Sequence, residues 1–398
     1  MEKADVIIVG GGIAGLSAAV TLCETDLNVV MVERRDIGAN QSIRAVFSDT
    51  VQEFDLKDSV LQGYTGFVWH SPLGAIASFD YQRVAVDAVD YGRACELLCQ
   101  RATRRGLRVI RAKALRWSPV VPDPRAPLVV HLDNGDSIRT QVLIDASGSA
   151  QWAATQLGMR PSLYYSVCYG ELLTGCNVPN AAQFRFLAPN SQFGNGGGWY
   201  YPAGGSSVSI GYSIVVQGSE KRSHLAAGYW SAKREFHPYA DWVRPGIRQR
   251  IEGGVVPVGR IGRFVFDRIL IVGDAAGQAY PWSVEGCRPC LYNGRLCAQV
   301  VLQAFAQRCF DRATLFAYER DWARLNRERF WRTASVAELT WARSDQGWDQ
   351  FIAAYQQLSP GQQLDALREN RVAAYQQIYA VAGYARRQLV KWLGGQRS

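Results

Sequence analysis

A cluster of glycines near the N-terminus has the spacing needed to bind a phosphate group. Gly10, Gly12 and Gly15 follow an apolar, β-branched run at residues 5–9, which predicts a strand buried in a parallel sheet. In such a unit the first glycine allows a tight turn, the second lets the backbone approach a pyrophosphate, and the third allows close helix–strand packing. The helix N-terminus adds unpaired N–H groups and a positive dipole end. The segment therefore predicts a β-turn-α unit that binds a dinucleotide.

An acidic residue stands at the end of the next predicted strand, where the ribose of a dinucleotide needs a hydrogen-bond acceptor. A helix is predicted at residues 13–25 and a strand at residues 28–32, and Glu33 follows directly. Strand, glycines, helix, strand and acid occur in this order, which is much more specific than a glycine pattern alone.

A second glycine-containing segment lies far along the chain. Residues 273–277 have the sequence GDAAG, follow a buried apolar run at 269–272 and precede a helix predicted at 298–305. Asp274 at the strand end can accept a hydrogen bond from a polyol, and a following helix directs its first amides at the same place. An NAD site does not need this second element, whereas the ribityl chain and flavin ring of FAD extend beyond the pyrophosphate. The two segments together favour FAD over NAD.

The elements between these segments indicate an α/β domain. A helical segment at residues 91–106 leads into a strand at 107–110. Two further strands are predicted at 128–132 and 141–144, joined by an Asn-Gly turn that is a strong hairpin signal.

The middle of the chain changes character. Residues 164–258 contain short alternating runs, such as 207–215, broken by Gly and Pro, which is typical of an antiparallel sheet. After residue 311 the sequence is helical to its end. We therefore predict an α/β protein with a discontinuous Rossmann-type FAD-binding domain, an inserted antiparallel substrate domain and a helical C-terminal region. The predicted boundaries are 1–163 and 255–310 for the FAD-binding domain, 164–254 for the substrate domain, to which 64–90 also contributes, and 311–398 for the helical region.

Composition restricts the partners of the protein. The 398 residues carry a net charge of +9, and 48% of them are hydrophobic, which is enough to bury a large core. The basic balance raises the chance of anionic partners such as cofactor phosphates or lipid headgroups. No basic run with interleaved aromatics suggests a nucleic-acid surface, so we expect no nucleic-acid partner.

The cysteines and histidines indicate a reducing compartment and no metal. The nine cysteines are scattered without the spacing of a disulfide framework. The four histidines, His70, His131, His224 and His237, have no ligand spacing, so we expect no metal site. The N-terminus carries no signal peptide and no segment has the apolar length to cross a bilayer. These features predict a cytoplasmic protein.

Three segments resemble the FAD motifs of one large flavoprotein group. VIIVGGGIAG with Glu33-Arg34, the segment VLIDASG at 142–148, and IVGDAAG at 271–277 are similar, in order, to motifs of the p-hydroxybenzoate hydroxylases, flavin halogenases, lycopene cyclases and geranylgeranyl reductases. The middle segment has Ala-Ser-Gly where the group usually has Ala-Asp-Gly. The resemblance covers most of residues 1–310 and implies that Arg44 lies near the pyrophosphate and that residues 281–287 run beside the flavin. The predicted cofactor contacts are Gly10, Gly12, Ile13, Ala14, Gly15, Glu33, Arg34, Arg44, Asp274, Ala275, Gly277, Gly286 and Cys287.

Within this group the chain most resembles the geranylgeranyl reductases. The segment GGVVPVG at 253–259 and the segment PWSVEG at 281–286, which is similar to the family's Pro-x-x-Gly-Glu-Gly, support this resemblance. Trp199, Tyr201 and Pro202 resemble the end of the family's Tyr-x-Trp-x-Phe-Pro substrate motif, with Tyr201 in place of Phe. The resemblance implies that these three residues contact the substrate, and it leaves substrate identity open.

The other members of the group remain alternatives of different weight. A halogenase needs a lysine in the first third of the chain to hold hypohalous acid, and no lysine stands between Lys57 and Lys113. A lycopene cyclase needs a general acid, and we find no clustered acidic motif in the middle region. A hydroxylase uses the same FAD site and needs no second Rossmann domain, so the sequence does not separate it from a reductase.

Two further features allow a functional and a purely structural interpretation. Cys287 and Cys290 form a Cys-x-x-Cys pattern beside the predicted flavin, but the strand context of a thioredoxin-like motif is absent, which favours small residues that pack. Residues 379–393 carry apolar and aromatic residues at helical spacing with Arg and Lys between them. This pattern suits either a helix on an anionic membrane surface or one that caps the substrate domain.

These observations predict an enzyme that uses non-covalently bound FAD as an oxidoreductase. The favoured hypothesis is reduction of C=C bonds in an isoprenoid or similarly apolar metabolite, with NAD(P)H or another reductant as electron donor. The alternative is a monooxygenase of secondary metabolism, and a more distant one is a non-redox cyclase or isomerase. The sequence names no proton donor and no oligomeric state.

Overall fold

The computed structural model describes most of the chain. The described residues are 1–121, 123, 126–159, 164–217, 225–259, 261–326, 329–330 and 341–369. The predicted C-terminal helix at 379–393 lies outside them.

Strands and helices are interspersed as far as the last described strand, and the regular elements described after it are helical. The strands are β1 (Glu2–Val9), β2 (Val29–Glu33), β3 (Ile43–Phe47), β4 (Val60–Tyr64), β5 (Gly66–His70), β6 (Ile76–Asp80), β7 (Val86–Asp90), β8 (Arg108–Arg111), β9 (Ala114–Pro119), β10 (Leu128–Leu132), β11 (Ser137–Asp145), β12 (Tyr164–Thr174), β13 (Gln183–Asn190), β14 (Gly196–Pro202), β15 (Val208–Gln217), β16 (Ile247–Val258), β17 (Val265–Phe266) and β18 (Ile269–Ile271). The helices are α1 (Ile13–Leu22), α2 (Ser48–Glu53), α3 (Tyr91–Thr103), α4 (Trp152–Gln156), α5 (Leu225–Glu235), α6 (Tyr239–Val243), α7 (Cys287–Gln307), α8 (Arg312–Leu315), α9 (Ala317–Asn326), α10 (Asp345–Tyr355) and α11 (Pro360–Arg368).

A mostly parallel sheet forms the first layer of the fold. Its order is β17-β18-β11-β1-β2-β8, with β10 and β9 added beside β11. β1 pairs in parallel with both β2 and β11, and β11 pairs in parallel with β18. The central strands are continuous apolar runs because both faces of the sheet are buried there. The arrangement confirms the predicted discontinuous Rossmann-type fold, since β18 returns to the sheet long after β11.

An antiparallel sheet forms the second layer. Its order is β16-β12-β15-β14-β13-β5-β6, in which only β13 and β5 pair in parallel. A separate three-stranded sheet has the order β3-β7-β4. β16 continues to Val258, so residues 255–258, at the start of the second range predicted for the FAD-binding domain, form part of a strand of this antiparallel sheet.

Some predicted bounds were wrong. The first helix ends at Leu22, where Cys23 leaves the helical conformation, and not at residue 25. The segment after β18 is a short 3-10 turn, Gly273–Ala276, and the long helix begins at Cys287 and not at residue 298. A helix therefore does not follow the Asp274 strand directly, and the loop at 278–286 separates them.

Alternation along the strands gives the antiparallel sheet two different faces. We call the face that carries Phe184, Phe186, Trp199 and Tyr201 the inner face and the opposite face the outer face. Helices α5 and α6 pack on the outer face, and α10 packs on the inner face through an aromatic cluster centred on Trp69. The C-terminal helices thus cover part of the surface on which a substrate was predicted to bind.

Candidate functional site

The glycine turn after β1 is shaped by close backbone contacts. Gly10 has a φ of +111°, and a Cβ there would clash with the carbonyl of Ala146 in the middle motif. A Cβ at Gly15 would clash with the carbonyl oxygen of Gly10. A Cβ at Gly12 would come 3.3 Å from the hydroxyl of Tyr91, which stands at the same turn. Only glycine fits the first and third positions, as the dinucleotide motif requires.

The amides at the start of α1 are only partly satisfied. The amide of Gly11 donates to Glu33 Oε2 at 2.8 Å, and the amide of Ile13 donates to Tyr91 Oη at 3.2 Å. Within the described part of the chain, the amides of residues 14 and 15 have no hydrogen-bond acceptor, and α1 has no side-chain cap. A helix N-terminus with free amides is an anion site. The residues present therefore fit a dinucleotide pyrophosphate.

The second half of the site surrounds Asp274. This residue lies in the turn after β18 and is partly exposed, while Ala275 beside it is fully buried. Gly277 ends the turn with a φ of +65°. A Cβ at Gly286 would lie 3.3 Å from Asp274 Oδ1, and Cys290 Sγ lies 3.7 Å from the same oxygen. The start of α7 therefore lies directly beside the carboxylate.

Helices α1 and α7 pack side by side, which brings the two halves together. Ser17 Oγ donates to the carbonyl of Leu291 at 2.6 Å, and a Cβ at Gly294 would clash with the carbonyl of Ala14. Both helices begin at the carboxyl edge of the parallel sheet, where ligands of open α/β sheets bind. The two N-termini and the Asp274 carboxylate therefore border one cleft along this edge, as an extended dinucleotide such as FAD requires.

Burial and one cation set the protonation of this cleft. Burial raises the pKa of Asp274 to about 6, and hydrogen bonding by Cys290 and the charge of Arg44 lower the pKa only in part. Burial likewise raises the pKa of Cys287 to about 12, again against the Arg44 charge. The charge of Arg44 on β3 therefore reaches both Asp274 and Cys287.

The predicted substrate residues do not share one face. Trp199 and Tyr201 lie on the inner face, where Tyr201 packs against Phe186 with ring centroids 6.2 Å apart. Pro202 belongs to the opposite alternation, and its carbonyl accepts a 2.6 Å hydrogen bond from Tyr64. The inner face therefore presents aromatic rings, and Pro202 supports the strand.

The loop before α7 is strained. Val284 has a φ of +54°, although a β-branched residue rarely adopts this conformation. The loop is closed by the amide of Tyr280, which donates to the carbonyl of Glu285 at 2.9 Å. Arg288 clamps Glu285 with two hydrogen bonds of 2.7 Å. A glycine would be relaxed at position 284, which is where the resembling family has one.

The remaining predicted residues have simple placements. Arg34 is exposed just after β2. Cys287 begins α7 and Cys290 points toward Asp274, and both are free thiols. Sequence reasoning missed Tyr91, whose hydroxyl reaches the phosphate loop from the N-terminus of α3. The signal for that helix start was Asp90, whose carboxylate caps α3 by accepting from the Arg93 amide.

The fold and this cleft define a Rossmann-type flavoprotein in which an antiparallel sheet faces the cofactor site. A family model for lycopene cyclase protein matches residues 5–175. A digeranylgeranylglycerophospholipid reductase of Methanosphaerula palustris is 26% identical over 346 residues, which cover 80% of this chain and 81% of that protein. The solved structure of a geranylgeranyl bacteriochlorophyll reductase-like protein from Thermoplasma acidophilum superposes with a TM-score of 0.81 at 18% identity and covers 96% of both chains. A probable FAD-dependent monooxygenase from Pseudomonas aeruginosa has a TM-score of 0.65 at 18% identity and covers 89% of this chain and 99% of that one.

Over most of its length the chain is similar to geranylgeranyl reductases, and residues 5–175 match the lycopene cyclase family model. It is an FAD-dependent oxidoreductase. Within the residues that the structure describes, every helix is too short or too polar to cross a bilayer.

Proposed function

We propose that this protein reduces C=C bonds of an isoprenoid or similarly apolar metabolite with non-covalently bound FAD. The single observation that carries the proposal is the inner face of the antiparallel sheet. There the half-buried rings of Phe186, Trp199 and Tyr201 lie next to one another, and the charge of Arg44 reaches both Tyr201 and Cys287. Such a surface favours an apolar substrate, because few polar groups would be desolvated against it.

Different predicted cofactor residues would contact different parts of FAD along the cleft. Gly10, Gly12 and Gly15, with the amides of Ile13 and Ala14, would hold the pyrophosphate, and Arg44 would balance its charge. Glu33, followed by Arg34, would accept hydrogen bonds from the ribose hydroxyls, while Asp274 would accept a hydrogen bond from a hydroxyl of the ribityl chain. Ala275 and Gly277 shape the Asp274 turn, and the amides of Gly286 and Cys287 would lie beside the flavin. These assignments are part of the proposal, and mutation of each residue can test them. The domain boundaries given above likewise remain predictions.

FAD, when bound, supplies the hydride that double-bond reduction needs. The chain must then provide a proton and keep bulk water away. Tyr201 and Cys168 are the hydroxyl and thiol on the inner face that the Arg44 charge reaches. Burial raises the pKa of both groups, so both remain protonated at neutral pH, as a proton donor must.

An anaerobic experiment tests the reductase proposal. The FAD-loaded protein is photoreduced without oxygen and mixed with geranylgeranyl diphosphate as the probe. We expect the flavin to reoxidise and the product mass to rise by two hydrogens for each reduced bond. Tyr201→Phe should slow this step if Tyr201 donates the proton, whereas Tyr165→Phe on the same sheet serves as the control. Reduced flavin that persists with the probe present, yet reoxidises rapidly in air, would reject the reductase proposal.

The second candidate is a monooxygenase. It is favoured by the likeness of the fold to the probable FAD-dependent monooxygenase from Pseudomonas aeruginosa. The reductant of either enzyme would be NAD(P)H or another donor. Oxygen-dependent product with matching NAD(P)H consumption would support the monooxygenase. Product formed without net consumption of reductant would instead support a cyclase or isomerase, the class named by the matching family model.

We also propose a cytoplasmic location, with contact to a membrane surface through residues 379–393. Those residues lie outside the described part of the chain, and their alternation of aromatic and basic residues is the support. Sedimentation of the full chain with vesicles of anionic lipid, compared with a chain that ends at residue 369, tests the contact. Equal sedimentation of the two chains would reject it.

A further inference from the structure

A buried hydrogen-bond chain joins the substrate face to the cofactor-binding strands. Trp199 Nε1 donates to Ser209 Oγ at 3.2 Å, and Ser209 Oγ donates to Glu252 Oε2 at 2.6 Å. The same carboxylate oxygen accepts from the backbone amide of Ile43 at 3.4 Å. Ser209 and Glu252 are 0% and 2% exposed, so water does not compete for these bonds. Neither residue was identified from the sequence.

The indole of Trp199 lies flat on the sheet because two neighbouring strands have glycine beneath it. Trp199 pairs with Gly211, which pairs with Gly170, and Gly170 pairs with Glu252. A Cβ on Gly211 would overlap the indole, and a Cβ on Gly170 would come 2.8 Å from its ring. The ring therefore forms a flat floor on the inner face, and its only polar atom is used to fix it in place.

Glu252 also connects this floor to the cofactor strands. Arg250 lies 3.2 Å from the other carboxylate oxygen of Glu252 and 4.0 Å from Asp90. Asp90 caps the helix that carries Tyr91 at the phosphate loop, and Ile43 directly precedes Arg44. A buried carboxylate is retained only when charge and hydrogen bonds compensate its desolvation, which these partners provide.

The chain of bonds cannot deliver a proton to the substrate. An indole N–H is a donor only, so a proton given to Ser209 Oγ has no path onward through Trp199. The network can therefore hold the ring in place but cannot act as an acid toward the substrate.

We propose that Glu252, acting through Ser209, is a positioning residue that fixes the Trp199 indole as the floor of the substrate site and ties it to the strand that carries Arg44. This inference rests on the proposed function for its link to substrate binding. The orientation of the indole itself is independent of which reaction the enzyme performs. The two claims can therefore fail separately.

The orientation is tested by ¹⁹F NMR of the FAD-loaded full chain labelled with 5-fluorotryptophan. Trp199→Phe assigns the resonance of interest. We expect Ser209→Ala and Glu252→Leu to shift or broaden this resonance, and Glu252→Gln to preserve it, because the amide oxygen still accepts from Ser209. The matched control is Glu171→Gln, which alters a fully buried carboxylate on the outer face and should leave the resonance unchanged. An unmoved Trp199 resonance in both Ser209→Ala and Glu252→Leu overturns the proposal.

Kinetics test the link to substrate binding. With geranylgeranyl diphosphate as the probe, Ser209→Ala should raise KM on the order of fivefold, the effect of one lost hydrogen bond, with kcat and the flavin spectrum unchanged. Trp199→Phe and the double variant with Ser209→Ala should have equal KM, since both remove the same bond. Independent, multiplying effects of the two changes would refute the proposal. If wild-type protein does not turn over the probe, the reductase proposal fails and the NMR result alone decides the positioning role.

Discussion

Replacing Val284 by glycine should stabilise the protein even though it removes an apolar side chain. Val284 occupies the left-handed region with a φ of +54° in a loop that cannot relax, because Tyr280 and Glu285 close it by a 2.9 Å backbone hydrogen bond. Glu285 is in turn held by Arg288, which is only 5% exposed. The surroundings thus impose this backbone conformation on a residue that disfavours it.

The size of the effect follows from two opposing contributions. A non-glycine residue held in this region costs about 1–3 kcal/mol, and a β-branched side chain lies toward the upper end. Glycine relieves this strain but gains freedom in the unfolded chain, which costs about 0.4–1 kcal/mol. We therefore expect Val284→Gly to raise the free energy of unfolding by about 1 kcal/mol, or by about 1–2 °C in Tm for a chain of this size.

The assay is thermal unfolding of the cofactor-free protein, with Val284→Ala as the control. Alanine loses the same apolar contacts but remains strained at positive φ, so it should be less stable than the glycine variant. The reasoning is refuted if Val284→Gly is as destabilised as Val284→Ala, because contacts and not strain would then dominate at this position.

Three further outcomes follow from the site. Gly211→Ala should displace the Trp199 ring and raise KM for an apolar probe about tenfold through lost pocket contacts, without loss of FAD. Gly254→Ala is the control and should change nothing, because its Cβ would meet no atom within 4 Å. Equal kinetics of the two variants would contradict this prediction. Burial raises the pKa of Asp274 from 3.8 to about 6, so the folded apoprotein binds a proton there between these pH values that the unfolded chain has released. Apoprotein stability, measured by unfolding, should therefore fall as pH rises through this window and then level off. FAD affinity, measured by flavin titration, should rise through pH 6 as the carboxylate ionises. Asp274→Asn should flatten both pH profiles. Tyr91→Phe should lower apoprotein stability by about 1 kcal/mol, because it leaves the first amide of α1 unpaired. It should also enlarge the rise in Tm caused by FAD, because a phosphate of FAD would accept a hydrogen bond from that amide. A smaller rise would show that the tyrosine hydroxyl itself binds the cofactor.

The sequence was sufficient to predict the cofactor half of the molecule. Continuous β-branched runs, glycines at fixed spacing and an acid at a strand end are local patterns, and local patterns determine a β-turn-α unit. This explains why the strand after the first helix and the strand at Ile269, which returns to the same domain, could be predicted from the sequence. The predicted helix bounds were less accurate, as for α7, because no local signal in the loop from 278 to 286 marks where that helix begins.

The substrate half was less accessible because its chemistry depends on contacts between distant strands. Glu252 has no local signature, and its role appears only when β16 and β12 place it in one row with Gly170 and Gly211. Pro202 matched a family pattern, yet alternation puts it on the face away from Trp199. Register between strands, which sets both results, is a property of the assembled sheet and not of any one segment.

Titration of the cofactor-free protein with FAD tests the central claim most directly. We expect saturable, stoichiometric uptake, release of intact FAD on denaturation, and much weaker binding in Gly12→Val and in Asp274→Ala, since these changes alter opposite ends of one cleft. Protein that takes up no FAD, or that binds FAD as tightly in both variants as in the wild type, would contradict the account.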